Sequence, residues 1–364
     1  MADGSSIVNK AEYGTVIAIQ ANYYQVRLEN FSDELLLCTR RSRLKKIGQS
    51  VMVGDRVWVE DVDHLNQQGA IGSVEPRRNE LSRPPMANAD QILLVFSLAD
   101  PPLETWQLSR FLVKAESADL ELCLCLNKRD LVSEEEQKQW QARLSQWGYQ
   151  PFLISVDTQE GIDQLHQQLN QKITLMAGPS GVGKSSLINI LVPGVAQRVN
   201  QVSGKLHRGR HTTRHVELFE LPTGGLLADT PGFNQPDLEI EAAQLIFHFP
   251  EAKRQLETGL CQFNDCSHRE EPNCVVRGNW ERYEHYLKFL EEAMEEAIAQ
   301  QARGEEESGL KLMTKESGKQ EYEPKLAKKK YRQTSRRIKH QQLHELYHEQ
   351  SARSEDEDED ELEE

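Results

Sequence analysis

Short stretches of alternating apolar and polar residues dominate the first part of the chain. Between residues 12 and 82, about five such stretches are separated by turn residues: YGTVIAIQ, YYQVRLE, ELLLCTR, SVMVGDRVWVE and GAIGSVEP. This period-two pattern predicts β-strands, and short strands without intervening helices are typical of a small closed barrel. We expect an OB-type barrel, although the pattern does not separate it from an SH3-like one. The basic stretch TRRSRLKK is predicted to be a loop that contacts nucleic-acid phosphates or is simply solvated.

From residue 91 onward, apolar strands alternate with amphipathic segments. The strands are QILLVFSL, ELCLCLN, PFLISV, ITLMAG, VELFEL and GLLADT, and helices are predicted at 104–117, 133–147, 161–171 and 184–192. This alternation predicts an α/β domain with a largely parallel sheet and a functional site at the carboxyl ends of its strands. The stretch SRPPMANAD is predicted to be a linker before this domain, because two consecutive prolines disfavour regular structure.

After about residue 245, a segment with cysteines and a histidine precedes a long helical pattern. Asn279 is a good N-cap for this helix, and one face would carry Trp280, Tyr283, Leu287, Leu290, Met294 and Ile298. Beyond Gly304 the chain is charged and poor in apolar residues, so we expect it to be mostly disordered. The predicted domains are a barrel (1–82), an α/β domain (83–245), a mainly helical metal-binding domain (246–303) and a tail (304–364).

Charge and composition change this picture mainly at the C-terminus. The net charge is −15, but the final SEDEDEDELEE holds nine acidic residues, whereas residues 325–340 carry eight Lys or Arg and no acid. Opposed blocks of this kind suit either nucleic-acid contact or a solvated tail whose blocks attract each other. The chain has no run of 18 apolar residues and no secretory pattern, so we expect a cytoplasmic protein with reduced thiols and no membrane contact.

The clearest chemical motif is a glycine-rich loop between a strand and a helix, ITLMAGPSGVGKSSLINIL, which matches G-x-x-x-x-G-K-[ST]. The glycines let backbone N–H groups surround phosphates, and the helix N-terminus favours anions. Lys184 adds a positive charge with a catalytic role, and the Ser185 hydroxyl can bind Mg²⁺. The predicted phosphate-binding residues are Gly178, Pro179, Ser180, Gly181, Val182, Gly183, Lys184, Ser185 and Ser186.

Two later segments would complete a phosphoryl-transfer site. In LLADTPG, Asp229 ends an apolar strand and would lie beside Mg²⁺, and Gly232 offers a backbone N–H to a γ-phosphate. Between this motif and the phosphate loop, Thr212 or Thr213 could give Mg²⁺ a further hydroxyl that is held only while the γ-phosphate is present. The two adjacent threonines leave the choice open, and Thr213 is favoured.

The base is indicated by the sequence Asn-Lys-Arg-Asp directly after the strand ELCLCLN. The Asp130 carboxylate can accept hydrogen bonds from guanine N1–H and N2–H₂, a donor pair that adenine lacks. Asn127 can brace the loop, the Lys128 stem can cover the base, and Ser155 follows the next strand, where a short loop can support the guanine carbonyl. This motif comes about fifty residues before the phosphate loop, which is the reverse of the usual order in regulatory GTPases.

The chain lacks the residue that usually orients the attacking water during GTP hydrolysis. Regulatory GTPases place a Gln after Asp-x-x-Gly, whereas this chain has Phe233, which cannot hydrogen-bond to water. His211 is the nearest substitute, the alternative being a loop histidine without a catalytic role. Arg208, Arg210 and Arg214 could stabilise transferred charge, and nothing in the sequence ranks them.

The segment CQFNDCSHREEPNC supplies Cys261, Cys266, His268 and Cys274. Three thiolates and one imidazole can close a tetrahedral Zn²⁺ site that leaves no open position, so the metal would be structural. Free thiols are the alternative. His285 is assigned to the surface or core and not to the metal.

The motifs occur in the order guanine motif, support loop, phosphate loop, switch threonine and Asp-Thr-Pro-Gly, which resembles a circularly permuted GTPase. With a barrel before them and a Cys/His cluster after them, the chain resembles the RsgA (YjeQ/YloQ) family over roughly residues 10–300. The acidic C-terminus lies outside the family's pattern.

This resemblance implies a GTPase that uses GTP/GDP, Mg²⁺ and one structural Zn²⁺, with His211 orienting the water. It also implies a monomer that binds the small ribosomal subunit and its rRNA during late maturation. The subunit would stimulate hydrolysis, and hydrolysis would drive release of the factor. The residues alone leave open a non-enzymatic rRNA-binding module in which GTP is a structural or regulatory ligand.

Overall fold

The computed structural model describes residues 11–29, 34–82, 84–193, 216–229, 238, 240–278, 280–307, 310–314 and 320–324. No helix in these ranges combines the length and the apolar character that crossing a membrane requires.

Five strands close into an N-terminal barrel: β1 (Glu12–Gln20), β2 (Tyr23–Leu28), β3 (Leu35–Arg40), β4 (Arg56–Asp63) and β5 (Gln68–Val74). They follow the order β1-β2-β3-β5-β4, in which β3 runs parallel to β5 and the other neighbours are antiparallel. Buried and more exposed residues alternate along β2 and β3, so the inward side chains fill one apolar core. The closed five-stranded order with one parallel pair confirms the OB-type barrel that the strand pattern predicts.

The basic stretch TRRSRLKK is not the predicted loop. Ser42–Lys46 form a short helix, α1, whose Leu44 is buried in the barrel core. Arg43 pairs with Glu60 of β4 at 2.7 Å, and Arg41 pairs with the same carboxylate at 3.4 Å. Part of the positive charge of this stretch is therefore compensated within the barrel itself.

The segment predicted to be a linker contains a hairpin. Glu80–Ser82 (β6) pairs antiparallel with Pro85–Ala87 (β7). The buried Asn88 then donates a hydrogen bond from Nδ2 to the Gly54 carbonyl at 3.0 Å and accepts one from the Arg78 N–H at 2.9 Å. Both strands are edges of a two-stranded sheet, and an edge strand tolerates proline because it does not need every N–H.

The central sheet has six strands: β8 (Gln91–Ser97), β9 (Glu121–Asn127), β10 (Phe152–Leu153), β11 (Ile173–Ala177), β12 (Leu218–Glu220) and β13 (Leu226–Asp229). Their order is β10-β9-β8-β11-β13-β12, and every pair is parallel except β12 with β13. Residues of β8 face two apolar cores in alternation. Burial on both faces explains why these strands are almost continuously apolar. Cys123 and Cys125 of β9 are buried in the core.

Four helices cover this sheet: α2 (Thr105–Glu116), α3 (Glu134–Trp147), α4 (Ile162–Leu169) and α5 (Lys184–Leu191). Each lies within the range that the sequence predicts. The N-terminus of α3 is fixed by a capping box, in which Ser133 and Glu136 satisfy each other's backbone N–H groups.

The C-terminal region contains a 3₁₀ turn (Leu245–His248), α6 (Pro250–Thr258) and α7 (Tyr283–Glu307). The predicted apolar face of α7 is confirmed in part, because Leu290 is buried and Trp280, Tyr283 and Leu287 are half-buried against the same core. Its buried residues are Tyr286, Phe289, Leu290 and Ala293. Met294 and Ile298 are 42% and 68% exposed, because they lie beyond the last residue of α7 that enters the core shared with α2 and α6. Asn279 is outside the described residues.

The segment predicted to be disordered begins inside α7. It also contains an antiparallel pair, β14 (Leu310–Thr314) and β15 (Gln320–Pro324). The basic stretch 325–340 and the acidic end of the chain lie outside the described residues.

Candidate nucleotide site and metal cluster

The predicted nucleotide motifs meet at one edge of the central sheet. The guanine motif follows β9, the phosphate loop follows β11, and Asp229 is the last residue of β13. Since all three strands are parallel, their carboxyl ends lie at the same edge. The strand β8 lies between β9 and β11, so the guanine motif and the phosphate loop are separated by one intervening strand.

Asn127 joins the guanine motif to the other loops of this edge. Its side chain is only 1% exposed. Nδ2 donates a hydrogen bond to the Val182 carbonyl in the phosphate loop at 2.9 Å, and Oδ1 accepts one from the Val156 N–H at 3.2 Å. One buried amide therefore fixes the guanine motif, the phosphate loop and the support loop relative to one another.

The support loop is held by its own serine. Ser155 is fully buried, and its hydroxyl accepts a hydrogen bond from the Thr158 N–H at 3.0 Å. Its backbone N–H donates to the Glu160 carbonyl at 3.0 Å. The structure therefore places Ser155 beside the guanine motif, as the order of the strands predicts.

The remaining residues of the guanine motif point away from the core. Lys128 has a left-handed backbone conformation (φ +61°), and its Nζ donates a hydrogen bond to the Asp100 carbonyl. Asp130 lies in the 3₁₀ turn Arg129–Leu131 and is exposed. The Asp130 carboxylate is thus accessible at the carboxyl edge of the sheet.

The phosphate loop depends on close backbone approach at two glycines. Gly178 has φ +139°, and a Cβ there would lie 2.1 Å from the Val95 carbonyl oxygen. Gly183 has φ +96°, and its Cβ would lie 2.4 Å from Asn127 Nδ2. A side chain at either position would therefore push the loop away from β8 or from the guanine motif.

The polar side chains of the loop are arranged for anion binding. Lys184 Nζ donates hydrogen bonds to the carbonyls of Gly178 and Pro179 at 2.9 and 2.6 Å, so its ammonium lies over the loop. Ser180, Ser185 and Ser186 are exposed, and the last two are in the first turn of α5. Gly181 is also exposed, whereas Val182 is buried and packs into the apolar core that contains Leu93 and Val95 of β8.

Several predicted residues cannot be placed by the described part of the chain. His211, Thr212, Thr213, Gly232 and Phe233 lie outside it, as do the three switch-loop arginines. For Asp229 the backbone is described, and it pairs with Met176 of β11.

The four predicted metal ligands come together between α6 and α7. One ligand atom from each of Cys261, Cys266, His268 and Cys274 lies within 4.8 Å of the others. The two sulfurs of Cys261 and Cys274 are 3.8 Å apart, and His268 Nδ1 lies 3.6 and 3.3 Å from them. Bond lengths of about 2.3 Å to sulfur and about 2.0 Å to nitrogen in a tetrahedron require separations of about 3.6–3.8 Å. The cluster can therefore hold a metal ion.

Neighbouring residues orient this cluster. Burial lowers the pKa of His268, which favours the neutral imidazole that a metal requires. The hydroxyls of Tyr283 and Tyr286 donate to the carbonyls of His268 and Ser267, each at 2.8 Å. The sequence analysis missed Glu271, which accepts hydrogen bonds from Ser267 that hold its pKa at about 2. Its position within the cysteine segment was the available signal.

A buried ion pair within the metal-binding region packs against the α/β domain. Arg282 is fully buried and forms two hydrogen bonds with the carboxylate of Glu251, one of them from Nε at 2.6 Å. Its guanidinium lies 4.8 Å from the ring centre of Trp147 in α3 and 4.9 Å from that of Phe249. His285 contacts Ser109 of α2 at 2.7 Å, which agrees with its assignment to the core or surface. No local pattern indicates that Arg282 is buried.

Comparison with known proteins identifies the family. The RsgA GTPase family model matches residues 74–239. A small ribosomal subunit biogenesis GTPase RsgA from Microcystis aeruginosa is 61% identical over 330 residues, which cover 90% of this chain and 92% of the relative. The chain belongs to the RsgA family. An RsgA 1 from a Nostoc species is 58% identical over 359 residues, covering 93% of this chain and 97% of that protein.

Solved structures of RsgA-like proteins show the same fold. YloQ, described as a circularly permuted GTPase, is 31% identical with a TM-score of 0.66, covering 80% of this chain and 99% of its own. YjeQ from Thermotoga maritima is 32% identical with the same TM-score, covering 78% of this chain and 99% of its own. This chain is therefore a circularly permuted GTPase, in which the strands that precede the guanine motif and the support loop come before the strand that precedes the phosphate loop.

Proposed function

We propose that this RsgA-family protein binds GTP at the carboxyl edge of its central sheet and hydrolyses it during maturation of the small ribosomal subunit. The observation that carries the proposal is the buried Asn127, which bonds to the phosphate loop on one side and to the support loop on the other. A base held by Asp130 and phosphates held at residues 178–186 would thus be bound by one rigid frame.

Within this site the residues have distinct roles. Asp130 selects guanine, the stem of Lys128 covers the base, and the Ser155 loop supports the guanine carbonyl. Lys184 and the backbone N–H groups of the loop bind the β- and γ-phosphates. Mg²⁺, when bound, neutralises charge on these phosphates.

The residues for Mg²⁺ and for the attacking water are Ser185, Asp229, Thr213 and His211. Thr212 is the alternative to Thr213, and Gly232 senses the γ-phosphate through its N–H. His211 orients the water in place of the Gln that other GTPases use. Hydrolysis would depend on the segment that carries His211 and the two threonines, because bound GTP would hold that segment in place.

The proposed partner is the small ribosomal subunit and its rRNA, which the names of the relatives suggest. The barrel offers features that suit single-stranded RNA. Tyr23 and Trp58 are 51% and 39% exposed, and Lys45 and Lys46 are exposed on α1. Exposed aromatic rings stack on unpaired bases, and lysines contact phosphates. We propose that subunit binding stimulates hydrolysis and that hydrolysis releases the factor.

The test is GTP turnover measured with and without purified small ribosomal subunits. We expect the subunits to raise turnover by roughly tenfold or more, since supplied groups that order a GTPase site have large effects. The Lys184→Ala variant with subunits is the background control. If the protein binds GTP but the subunits do not increase its turnover, the result would instead support an rRNA-binding module in which GTP is a structural or regulatory ligand.

We also propose that the Cys/His cluster binds one structural Zn²⁺. The donor set of three thiolates and one imidazole suits Zn²⁺, and four protein ligands leave no position for substrate. The cluster lies between α6 and α7, so the metal would join the ends of two elements that share an apolar core.

Zinc binding predicts alkylation that depends on a chelator. Native protein treated with iodoacetamide should stay unlabelled, whereas prior chelation should expose Cys261, Cys266 and Cys274, because metal-bound thiolates are protected. The other three cysteines are an internal control. Cys38, Cys123 and Cys125 are buried in the apolar cores, so iodoacetamide cannot reach their thiols while the domains stay folded.

Peptide mass spectrometry measures the labelling, and elemental analysis measures the zinc. Equal labelling of the three cluster cysteines with and without chelator would show that they are free thiols. Labelling of Cys38, Cys123 and Cys125 would show that chelation had unfolded more than the cluster.

A further inference from the structure

We propose that loop 98–101, which follows β8, forms the ribose wall of the nucleotide site, and that the Asp100 carboxylate accepts a hydrogen bond from a ribose hydroxyl. This inference rests on the proposed GTP site and adds a residue that selects ribonucleotides over deoxyribonucleotides.

The order of the strands places this loop where a ribose must pass. β8 lies between β9, which carries the guanine motif, and β11, which carries the phosphate loop. Neighbouring strands are about 4.8 Å apart, so the two motifs are about 10 Å apart across β8. A nucleotide whose base contacts Asp130 and whose phosphates contact Lys184 therefore has its sugar over the carboxyl end of β8.

The loop is fixed against both motifs. Its Leu98 N–H donates a hydrogen bond to the Asn127 carbonyl at 3.0 Å. The Ser97 hydroxyl donates to the Pro101 carbonyl at 2.7 Å and closes the loop on itself. On the other side, Pro101 Cδ would lie 3.6 Å from a Cβ placed on Gly181. The loop is therefore in contact with the guanine motif and close to the phosphate loop.

Within this loop, Asp100 is next to the lysine of the guanine motif. Lys128 Nζ donates a hydrogen bond to the Asp100 carbonyl and lies 3.9 Å from its Oδ2. The Asp100 side chain is 92% exposed, so the carboxylate is accessible to a ligand at this edge. Its neighbour Lys128 is the residue whose stem is proposed to cover the base, which places the carboxylate at the junction of base and sugar.

The chemistry of the carboxylate determines what it can recognise here. It only accepts hydrogen bonds, and the 2′- and 3′-hydroxyls are the donors that a ribose offers. Acidic residues bind ribose hydroxyls in the same way in dinucleotide-binding folds. Towards phosphates the carboxylate would be repulsive, with Lys128 compensating part of its charge. Asp100 should therefore affect the preference between sugars more than it affects affinity for the triphosphate.

The test compares dissociation constants for GTP, 2′-deoxyGTP and 3′-deoxyGTP, measured by calorimetry on the full-length protein with Mg²⁺. We expect the wild type to prefer GTP to at least one deoxynucleotide by about tenfold, as expected for one hydrogen bond to a charged group. In Asp100→Ala this ratio should fall to about one, with weaker binding of GTP and little change for that deoxynucleotide.

Asp119→Ala is the matched control. Asp119 is also exposed and has nearly the same backbone conformation, φ +53° against +50° for Asp100, but it lies before β9 at the amino edge of the sheet. Both variants therefore place an alanine at a similar positive φ, and only Asp100→Ala should change the ratio.

Two outcomes would overturn the inference. A wild type that binds all three nucleotides equally has no ribose contact of this kind. An Asp100→Ala variant that changes all three affinities equally has lost only a charge near the phosphates. The Asp130→Asn variant separates these from failure of the site itself. If Asp130→Asn neither loses affinity for GTP nor gains affinity for xanthosine triphosphate, the proposed guanine site is wrong and the ribose inference fails with it. If Asp130→Asn does switch its preference but the wild type binds GTP and both deoxynucleotides equally, only the ribose inference fails.

Discussion

Gly183→Ala is expected to weaken GTP binding by roughly 100-fold or more. Gly183 has φ +96°, and an L-residue in the left-handed region is destabilised by about 1–2 kcal/mol. The new Cβ would also lie 2.4 Å from Asn127 Nδ2, so Asn127 must move. That movement breaks the buried hydrogen bond to Val182, at about 1–3 kcal/mol. A total of about 3 kcal/mol corresponds to roughly 100-fold in the dissociation constant.

Gly224→Ala is the matched control for this prediction. Gly224 has φ +90°, but no atom lies within 4 Å of its added Cβ, so alanine there introduces the strain without the collision. Calorimetry should give this variant near wild-type affinity for GTP. Asn127→Ala completes a double-mutant cycle, in which Gly183→Ala should add less than it does to the wild type. If the two glycine variants bind GTP equally well, Asn127 is not what makes Gly183 necessary.

Arg282→Ala is expected to lower the free energy of unfolding by about 3–5 kcal/mol, because it leaves the Glu251 carboxylate buried without its partner. Glu251 is 7% exposed, and both of its oxygens accept hydrogen bonds from Arg282. The substitution also removes the guanidinium from the rings of Trp147 and Phe249. Urea unfolding followed by tryptophan fluorescence measures the effect, since the Trp147 ring contacts the Arg282 guanidinium.

The double variant Arg282→Met/Glu251→Leu tests the cause. Apolar residues of similar volume remove both charges together, so we expect this variant to recover most of the lost stability. Lys138→Ala is the exposed counterpart: Lys138 and Glu134 form an ion pair with side chains 70% and 86% exposed, and its loss should not shift the urea midpoint measurably. A double variant less stable than Arg282→Ala would show that packing around the guanidinium matters more than the unpaired charge.

The features that the sequence predicts well are those with short-range requirements. The glycines of the phosphate loop must adopt positive φ, and Lys184 must follow them directly. The phosphate-binding motif can therefore be recognised from residues 178–186 alone. Metal ligands are limited by bond lengths of about 2 Å, which bring four residues within one short segment together. The strands of the central sheet are apolar almost without interruption because both faces are buried, and that pattern is visible before any partner is known.

The predictions that were wrong involve contacts between distant segments. Pro84 and Pro85 suggested an irregular linker, but the bridge from Met86 to Val53 and the bond from Asn88 to Gly54 hold a hairpin there. The stretch TRRSRLKK was predicted to be a loop, whereas burial of Leu44 in the barrel core favours a helix. In each case the deciding interaction lies outside the segment from which the prediction was made.

The sequence by itself determined the class of the protein: a barrel, a permuted GTPase sheet and a Cys/His cluster, each specified by local periodicity or by motifs with fixed spacing. Only the tertiary structure decided how these parts act on one another. It placed Asn127 against Val182, 55 residues away, and Arg282 against Glu251, 31 residues away. It also placed Asp100 beside Lys128. Chain folding brings such pairs together through the packing of whole strands and helices, so no local pattern carries the information about which side chains will meet.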